Sequence, residues 1–330
     1  MSIDTASFSE KLRSKSIDVE NKKLLITNYI GSQQEDDLSE PANCNGFGRI
    51  RHFHRHGTIG WPENPLPIDP AAHRLQLPRE DILLAQVFQN ASCNWRCWYC
   101  YVPFDLLNAN EKHSAWLGTG ELLDLYEKQP NPPRVIDLSG GQPDLTPEWI
   151  PWMMKSLRDR NLADAVYLWS DDNLSNDYFW RYLSKDELAL IREYRNYGKV
   201  CCFKGFNPRS FAFNTAAEPD LFGQQLSLFR RYLDLEIDLY AYATFTTPDD
   251  RDIPSDMREF VDQLQAISAN LPLRVVPLEI QDFSPMTSRL HDEQKRAMKN
   301  QWLAIDCWTT ELEQRFSEAE RNSPIYHVRI

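Results

Sequence analysis

Three cysteines stand close together in the chain, Cys93, Cys97 and Cys100, directly after an apolar segment. The spacing CxxxCxxC brings three thiolates into one short loop, where each can bind a different iron of a four-iron cluster. No fourth cysteine follows nearby, so the last iron stays open to a ligand from outside the protein. A structural zinc site typically uses two paired knuckles, and the second pair is missing here. The spacing therefore predicts a [4Fe-4S] cluster, with structural zinc or a simple electron-transfer cluster as the alternatives.

Paired glycines form a second motif, Ser139-Gly140-Gly141-Gln142-Pro143, at the end of the next apolar run. Taken alone, such a pair indicates a tight turn or a close approach of two backbones. Two later apolar runs also end in polar residues, the segment Ser170-Asp171-Asp172-Asn173 and the single charge of Lys204. The first segment could bind a ligand or form a polar turn, and the pattern favours neither. The charge at an apolar strand end favours a bound partner over a plain surface lysine.

The composition indicates a folded protein, because 42% of the 330 residues are hydrophobic and 25% are charged. No apolar run reaches the roughly 20 residues that cross a bilayer, and residues 1–9 lack the regions of a signal peptide. A cytoplasmic location is therefore expected, and there seven cysteines fit a metal site better than a disulfide framework. The net charge of −12 disfavours broad attachment to nucleic acid or to an anionic membrane.

A basic segment over residues 49–56 contains three alternating histidines, His52, His54 and His56, which would share one face of an extended strand. Together with Cys44 they could form a second metal site. No standard pairing of ligand spacings is present, so the pattern favours a solvated or substrate-lining basic segment.

From residue 81 onward, apolar runs alternate with amphipathic stretches, which is typical of strand and helix units around a parallel sheet. Helical periodicity is clear over 222–233 and 257–264, and a last helix is predicted over 291–317. Six units are fewer than the eight of a closed barrel, so the pattern predicts a partial (βα)6 TIM-like barrel with parallel strands and a lateral opening. The six strands are predicted over 82–88, 134–138, 165–169, 199–203, 238–245 and 273–280.

The part of the chain before residue 81 does not follow this pattern. Residues 1 to 40 are polar, with one apolar run over 24–30, and predict a loosely attached extension with one strand or short helix. The prolines at positions 62, 65, 67, 70 and 78 disfavour long regular elements and predict an irregular segment laid over the main domain. The predicted division is an N-terminal extension over 1–80, a barrel core over 81–285 and a C-terminal helical segment over 286–330.

The cysteine loop, with Tyr99 directly before its third cysteine, resembles the signature of the radical S-adenosylmethionine (radical SAM) superfamily. The resemblance covers roughly residues 80–285, and the core is loosely similar to glycyl-radical activating enzymes. It implies that Cys93, Cys97 and Cys100 hold a [4Fe-4S] cluster and that S-adenosylmethionine supplies the missing ligand. In that family, a reduced cluster passes one electron to S-adenosylmethionine, and the resulting 5'-deoxyadenosyl radical removes a hydrogen atom from the substrate.

The resemblance also implies which residues contact S-adenosylmethionine. The glycine pair matches a glycine-glycine-glutamate motif that holds the amino group of the methionine moiety, although Gln142 replaces the glutamate and so removes a charge but keeps an acceptor. Lys204, in Cys202-Phe203-Lys204, matches a lysine that contacts the cofactor carboxylate, and Cys202 stands where the family has aspartate. The expected cofactor-binding residues are Gly140, Gly141, Gln142, Ser170, Asp172 and Lys204.

The motifs do not identify the substrate. Similarity to activating enzymes favours a peptide or protein, a small metabolite is the main alternative, and the acidic balance makes RNA less suitable. An electron donor such as flavodoxin or ferredoxin is the implied redox partner, and Glu279, a carboxylate among apolar neighbours, is a further candidate for contact with cofactor or substrate. The expected function is that of a radical SAM enzyme, and the alternative from a different class is a non-catalytic iron-sulfur or zinc-binding scaffold.

Overall fold

The computed structural model describes residues 2–330 and has ten strands and eleven α-helices in that range. The strands are β1 (Ile17–Asp18), β2 (Lys23–Thr27), β3 (Gly48–His54), β4 (Ile82–Gln89), β5 (Ser114–Gly118), β6 (Val135–Ser139), β7 (Tyr167–Asp172), β8 (Tyr197–Phe203), β9 (Leu239–Thr244) and β10 (Val275–Leu278). The helices are α1 (Thr5–Ser16), α2 (Ile68–Leu75), α3 (Thr119–Glu127), α4 (Trp149–Asp159), α5 (Tyr178–Tyr182), α6 (Lys185–Glu193), α7 (Pro208–Thr215), α8 (Leu221–Leu233), α9 (Ile253–Ile267), α10 (Asp292–Arg315) and α11 (Glu318–Arg321).

The central sheet has seven strands in the order β10-β9-β8-β7-β6-β4-β3 and curls into a half-barrel. All six predicted strands are present and parallel to one another, which confirms an α/β partial barrel. The count of six strand-helix units is not confirmed. The sheet has a seventh strand, β3, which pairs antiparallel with β4, and two helices follow each of β7 and β8.

The two faces of the sheet bury different sets of side chains, because successive residues of a strand point to opposite faces. On the outer face, residues such as Leu168, Cys201 and Phe203 pack in one core cluster with residues of α4, α8 and α9. On the inner face, Trp169 and Val200 belong to a second cluster that fills the base of the half-barrel. Polar side chains for a functional site are therefore expected above this second cluster, where the parallel strands end.

The segment before the barrel core differs from the predicted irregular, loosely attached extension. It supplies β3, an edge strand of the central sheet, and the helix α2. The prolines are compatible with both elements, because none falls within β3 and Pro70 lies in the first turn of α2, where the backbone N–H would have no partner in the helix.

Helix α1 packs directly on the cysteine loop. The Trp95 indole donates to the Thr5 hydroxyl at 3.1 Å, and the Asn94 amide donates to the Ser9 hydroxyl at 2.8 Å. Strands β1 and β2 follow this helix in the chain and form a small antiparallel sheet with β5. The segment predicted to be an extension therefore supports the loop that carries the cysteines.

The predicted last helix is confirmed as α10, which buries Ala304, Ile305 and Trp308 in the outer core cluster. Within residues 2–330, no helix is both long enough and apolar enough to span a bilayer.

Candidate functional site

A cavity of about 1100 Å³, including its open mouth, lies where the parallel strands of the half-barrel end. Its wall brings together loops that are far apart in the chain, as expected for the carboxyl ends of parallel strands. Every predicted site residue except Ser170 lines it, namely Cys93, Cys97, Cys100, Gly140, Gly141, Gln142, Asp172 and Lys204.

The cysteine loop leaves the end of β4 and is held by backbone contacts on both sides. The Cys93 N–H donates to the Leu107 carbonyl at 3.0 Å. The Trp98 N–H donates to the Asn214 carbonyl at 3.2 Å, and the Trp98 indole donates to the Asn214 side chain at 3.0 Å. These contacts hold the loop at its beginning and near its middle.

Two arginines donate hydrogen bonds to the carbonyl groups of the three cysteines. Arg289 donates to the carbonyl oxygens of Cys100 at 2.7 Å and Cys97 at 3.2 Å. Arg96 donates to the Cys93 carbonyl at 2.6 Å. Because each contact is to the backbone, the thiol groups stay free to bind a metal, and two positive charges lie beside them.

The three thiols are half-buried and face the same cavity. Burial raises the pKa of the Cys97 thiol to about 12 and also raises the pKa of Cys100, so these thiols stay protonated until a metal displaces the proton. Across residues 2–330, no three cysteine, histidine or carboxylate side chains converge closely enough to hold one metal ion. Three thiols on one short loop suit a cluster, in which each thiolate binds a different iron.

The glycine pair forms a left-handed turn, with φ of +69° at Gly140 and +62° at Gly141. A Cβ on Gly141 would lie 2.4 Å from the carbonyl oxygens of both Asn90 and Ser92, which lead into the cysteine loop. Glycine is therefore required for the two loops to approach each other. Within the described chain, no backbone donor reaches the carbonyl oxygen of either glycine.

Gln142 connects the glycine turn to the loop after β7. Its Nε2 donates to Asp172 Oδ1 at 2.7 Å, and its Oε1 accepts the Asn173 N–H at 2.9 Å. A glutamate at this position would place a second carboxylate against Asp172, so the amide suits this chain. The other carboxylate oxygen, Asp172 Oδ2, is buried and has no partner among residues 2–330.

Lys204 follows β8 and brings its ammonium group to the cavity wall. In the part of the chain that the structure describes, its Nζ forms no ion pair or hydrogen bond. Burial lowers the pKa of Lys204, but Cys202 and Tyr99 act in the opposite direction, and the net result is a raised pKa. The site therefore holds a positive charge that no carboxylate of the described chain pairs with.

Ser170 does not reach the cavity. It lies on β7 between Trp169 and Asp171, and alternation along the strand directs it to the outer face of the sheet. There its hydroxyl is buried and lies 2.8 Å from the Tyr197 hydroxyl. This position gives no support to the predicted cofactor contact of Ser170.

A buried ion pair joins β8 to the loop that follows the glycine turn. Lys199 Nζ is 2.8 Å and 3.0 Å from the two carboxylate oxygens of Asp144, which also accept the Tyr232 hydroxyl at 2.6 Å. Burial, together with Asp172, raises the pKa of the Asp144 carboxyl to about 7 against the effect of Lys199. The short contacts favour the charged pair. Burial lowers the pKa of Lys199, but the Asp144 charge outweighs this and raises it.

Arg51 lines the cavity but was not among the predicted site residues. It lies on β3 opposite Ala85 of β4, and a signal for it exists in the alternation of Arg49, Arg51 and Phe53 along one face of the strand. The sequence prediction concerned the histidines on the other face of the strand. Glu279, the further candidate from the sequence, also lines the cavity. Lining residues that were not predicted include Tyr101, Ser139, Asp171, Cys202 and Tyr242.

The residues of the possible second metal site are separated from one another. Cys44 is buried in the outer core cluster, where burial raises its thiol pKa to about 12. His52 Nε2 lies 2.7 Å from Glu40 Oε1, whereas His54 and His56 line a second cavity. The histidines thus lie on and just after the edge strand β3, and two of them line the second cavity.

The chain segment over 55–64 connects β3 to the far edge of the sheet at β10. The Thr58 N–H donates to Glu279 Oε2 at 3.1 Å, and the Trp61 indole donates to the Pro277 carbonyl at 3.2 Å. Glu279 lines both the main cavity and the second one, so the two cavities are neighbours at this edge.

The unpaired groups of the main cavity suit the amino-acid end of a ligand. The Lys204 ammonium can bind a carboxylate, and the glycine carbonyls with Asp172 Oδ2 can accept hydrogen bonds from an ammonium group. The three thiols supply metal ligands in the same cavity. The residues present thus fit both S-adenosylmethionine and an iron-sulfur cluster.

No protein-family model matches this chain, and no curated protein matches it. Three solved structures of SuiB from Streptococcus suis are similar to it, and the chain spans about half of their length. SuiB bound to S-adenosylmethionine has 13% identity and a TM-score of 0.47, over 72% of this chain and 50% of that chain. SuiB bound to precursor peptide SuiA has 12% identity and a TM-score of 0.44, over 69% of this chain and 46% of that chain. SuiB without a named ligand has 12% identity and a TM-score of 0.45, over 72% of this chain and 49% of that chain.

Proposed function

We propose that this protein is a radical SAM enzyme that holds a [4Fe-4S] cluster on Cys93, Cys97 and Cys100. The observation that carries the proposal is the shared cavity, in which these thiols, the glycine turn and an unpaired Lys204 meet at the carboxyl ends of the parallel strands. When bound, the cluster and S-adenosylmethionine supply one-electron cleavage of the sulfur-carbon bond and hydrogen abstraction from a substrate.

The chain's own residues bind and orient the methionine moiety. Lys204 receives its carboxylate, and the carbonyl groups of Gly140 and Gly141 accept hydrogen bonds from its ammonium group. Gln142 holds Asp172 in place through the 2.7 Å hydrogen bond, which leaves Asp172 Oδ2 to complete the ammonium site. The glutamine thus acts as a positioning residue.

Aromatic residues of the cysteine loop exclude water from the cluster site. Trp98 and Tyr99 are both buried. Their polar atoms are bonded within the protein, the Trp98 indole to Asn214 and the Tyr99 hydroxyl to Thr244 at 3.1 Å. A dry, shaped cavity protects reactive species from side reactions and affects the potential of a metal group.

We further propose a peptide, a protein or a small metabolite as the substrate and a flavodoxin or ferredoxin as the electron donor. We place the entry side for the substrate at Glu279, which lines this cavity and the neighbouring one and accepts a hydrogen bond from the 55–64 segment.

The test is anaerobic reconstitution with iron and sulfide, followed by addition of dithionite and S-adenosylmethionine and chromatographic detection of 5'-deoxyadenosine. We expect product from the native chain, no cluster and no product from Cys93→Ala, and native behaviour from Cys307→Ala. Cys307 is a matched control because it lies on α10 and does not line the cavity. A fully assembled cluster that neither changes its spectrum with S-adenosylmethionine nor yields product would refute the proposed enzyme activity. It would favour the alternative of a non-catalytic iron-sulfur scaffold.

A further inference from the structure

Part of the cavity wall is charged and is not used by the proposed cofactor contacts. Arg51 reaches this wall from β3, and 27% of its side chain is exposed. The Phe53 ring supports the guanidinium from one side, with Cζ 4.1 Å from the ring centroid. The group is therefore held in place and still open to the cavity.

Arg51 has more donors than the protein satisfies. Of its five N–H groups, one is bonded in the described chain, to Asp137 Oδ2 at the long distance of 3.3 Å. Asp171 also lines this wall, but its carboxylate accepts the Ser139 hydroxyl at 2.5 Å and forms no ion pair with Arg51 among residues 2–330. Several donors are thus left for a ligand in the cavity.

Arg51 has a second cation beside it, and its carboxylate partner is fully buried. Arg49 adds a second guanidinium on the same strand face, bonded to the neutral Tyr101 hydroxyl at 3.1 Å. Asp137 is completely buried, and burial, with a contribution from Asp171, raises its pKa to about 7 although Arg51 opposes this.

We propose that Arg51 is a specificity-determining residue that binds a carboxylate or phosphate group of the substrate. The planar guanidinium matches such an oxyanion with two parallel hydrogen bonds, which a lysine cannot reproduce. This inference deepens the proposed function and depends on it for the identity of the cofactor in the same cavity. Lys204 keeps the methionine carboxylate, so the two anionic groups have separate partners.

The experiment titrates inorganic phosphate and acetate separately into the anaerobically reconstituted protein and follows binding by NMR of each anion. We expect saturable binding of at least one anion, weakened at least tenfold in Arg51→Gln and weakened less in Arg51→Lys. Asp137→Asn should bind the anion more tightly, because it removes the carboxylate that competes for Arg51. Arg74→Gln is the matched control, since Arg74 also pairs with an aspartate, Asp238 at 3.5 Å, but does not line this cavity.

The phosphate and acetate arms identify which kind of oxyanion the site prefers. Unchanged affinity in Arg51→Gln, or no saturable binding of either anion by the native chain, would overturn the inference. If Arg51→Gln unfolds because Asp137 is left unpaired, the double variant with Asp137→Asn removes both charges, and it too must lose the anion.

S-adenosylmethionine affinity, measured on the same preparations, separates the two proposals. It should stay native in Arg51→Gln. A native chain that binds the anion but not S-adenosylmethionine would refute the proposed function alone, whereas loss of S-adenosylmethionine binding only in Arg51→Gln would assign Arg51 to the cofactor and overturn this inference.

Discussion

The buried pair of Lys199 and Asp144 gives a quantitative prediction that does not depend on any cofactor. Both side chains are at most 1% exposed, and the ammonium makes two contacts of 2.8 and 3.0 Å to one carboxylate. Replacing Lys199 by Met keeps most of the apolar volume but leaves a buried carboxylate that retains the Tyr232 hydroxyl and loses its counter-ion. Breaking a buried pair in this way costs about 3–5 kcal/mol of unfolding free energy.

The assay is equilibrium unfolding in urea. With a slope of about 3 kcal/mol per molar urea, the upper part of the usual range, the midpoint of Lys199→Met should fall by about 1–2 M. The double variant Lys199→Met with Asp144→Asn removes both charges and keeps an acceptor for Tyr232, so it should recover most of the loss. Lys155→Met is the control, because Lys155 is half-exposed and 3.9 Å from Glu187, and it should change stability by less than about 1 kcal/mol.

Two results would refute this reasoning. A Lys199→Met midpoint equal to that of the Lys155→Met control would mean that the pair contributes no charge interaction. A double variant as unstable as the single one would mean that the loss comes from packing around Lys199 and not from a stranded carboxylate.

Three further predictions concern the cavity. Gly141→Ala should lower S-adenosylmethionine affinity at least tenfold, measured by equilibrium dialysis, because its Cβ would lie 2.4 Å from two carbonyl oxygens; an unchanged affinity would contradict the role of the turn. Gln142→Glu should weaken the same affinity, because its carboxylate would repel Asp172 across the present 2.7 Å contact, and Gln142→Glu with Asp172→Asn should restore it. Arg289→Gln should lower the reduction potential of the reconstituted cluster, because it removes a cation beside the cysteines. Arg289→Lys keeps the charge and should preserve the potential. Equal potentials in both variants would show that the charge at this position does not affect the cluster.

Much of the architecture could be predicted because each parallel strand is locally apolar and is flanked by amphipathic helices. The end of each strand was then enough to place the cysteines, the glycine turn and Lys204 at one rim. Ser170 shows the limit of this reasoning. Its neighbour Asp171 lines the cavity, and the choice between adjacent residues depends on which face of β7 points inward, which the polar cluster alone does not reveal.

Long-range pairing was the other limit. Strand β3 joins the sheet only through its antiparallel contact with β4, which follows much later in the chain, and prolines between the two made the region resemble an irregular segment. Arg51 was missed for this reason. The pairing of Lys199 with Asp144 was missed similarly, because the two residues meet across β7 and share no local pattern.

The lining of the main cavity comes from two parts of the chain. Arg51 belongs to the antiparallel strand β3, and the other lining residues follow from Cys93 onward. The groups proposed to bind the cofactor all lie between Cys93 and Lys204, whereas Arg51 and the segment at the entry side precede the parallel strands. If only β3 and the 55–64 segment are exchanged, the residues proposed to bind the cofactor keep their places, so substrate choice and cofactor binding could be engineered separately in the proposed enzyme.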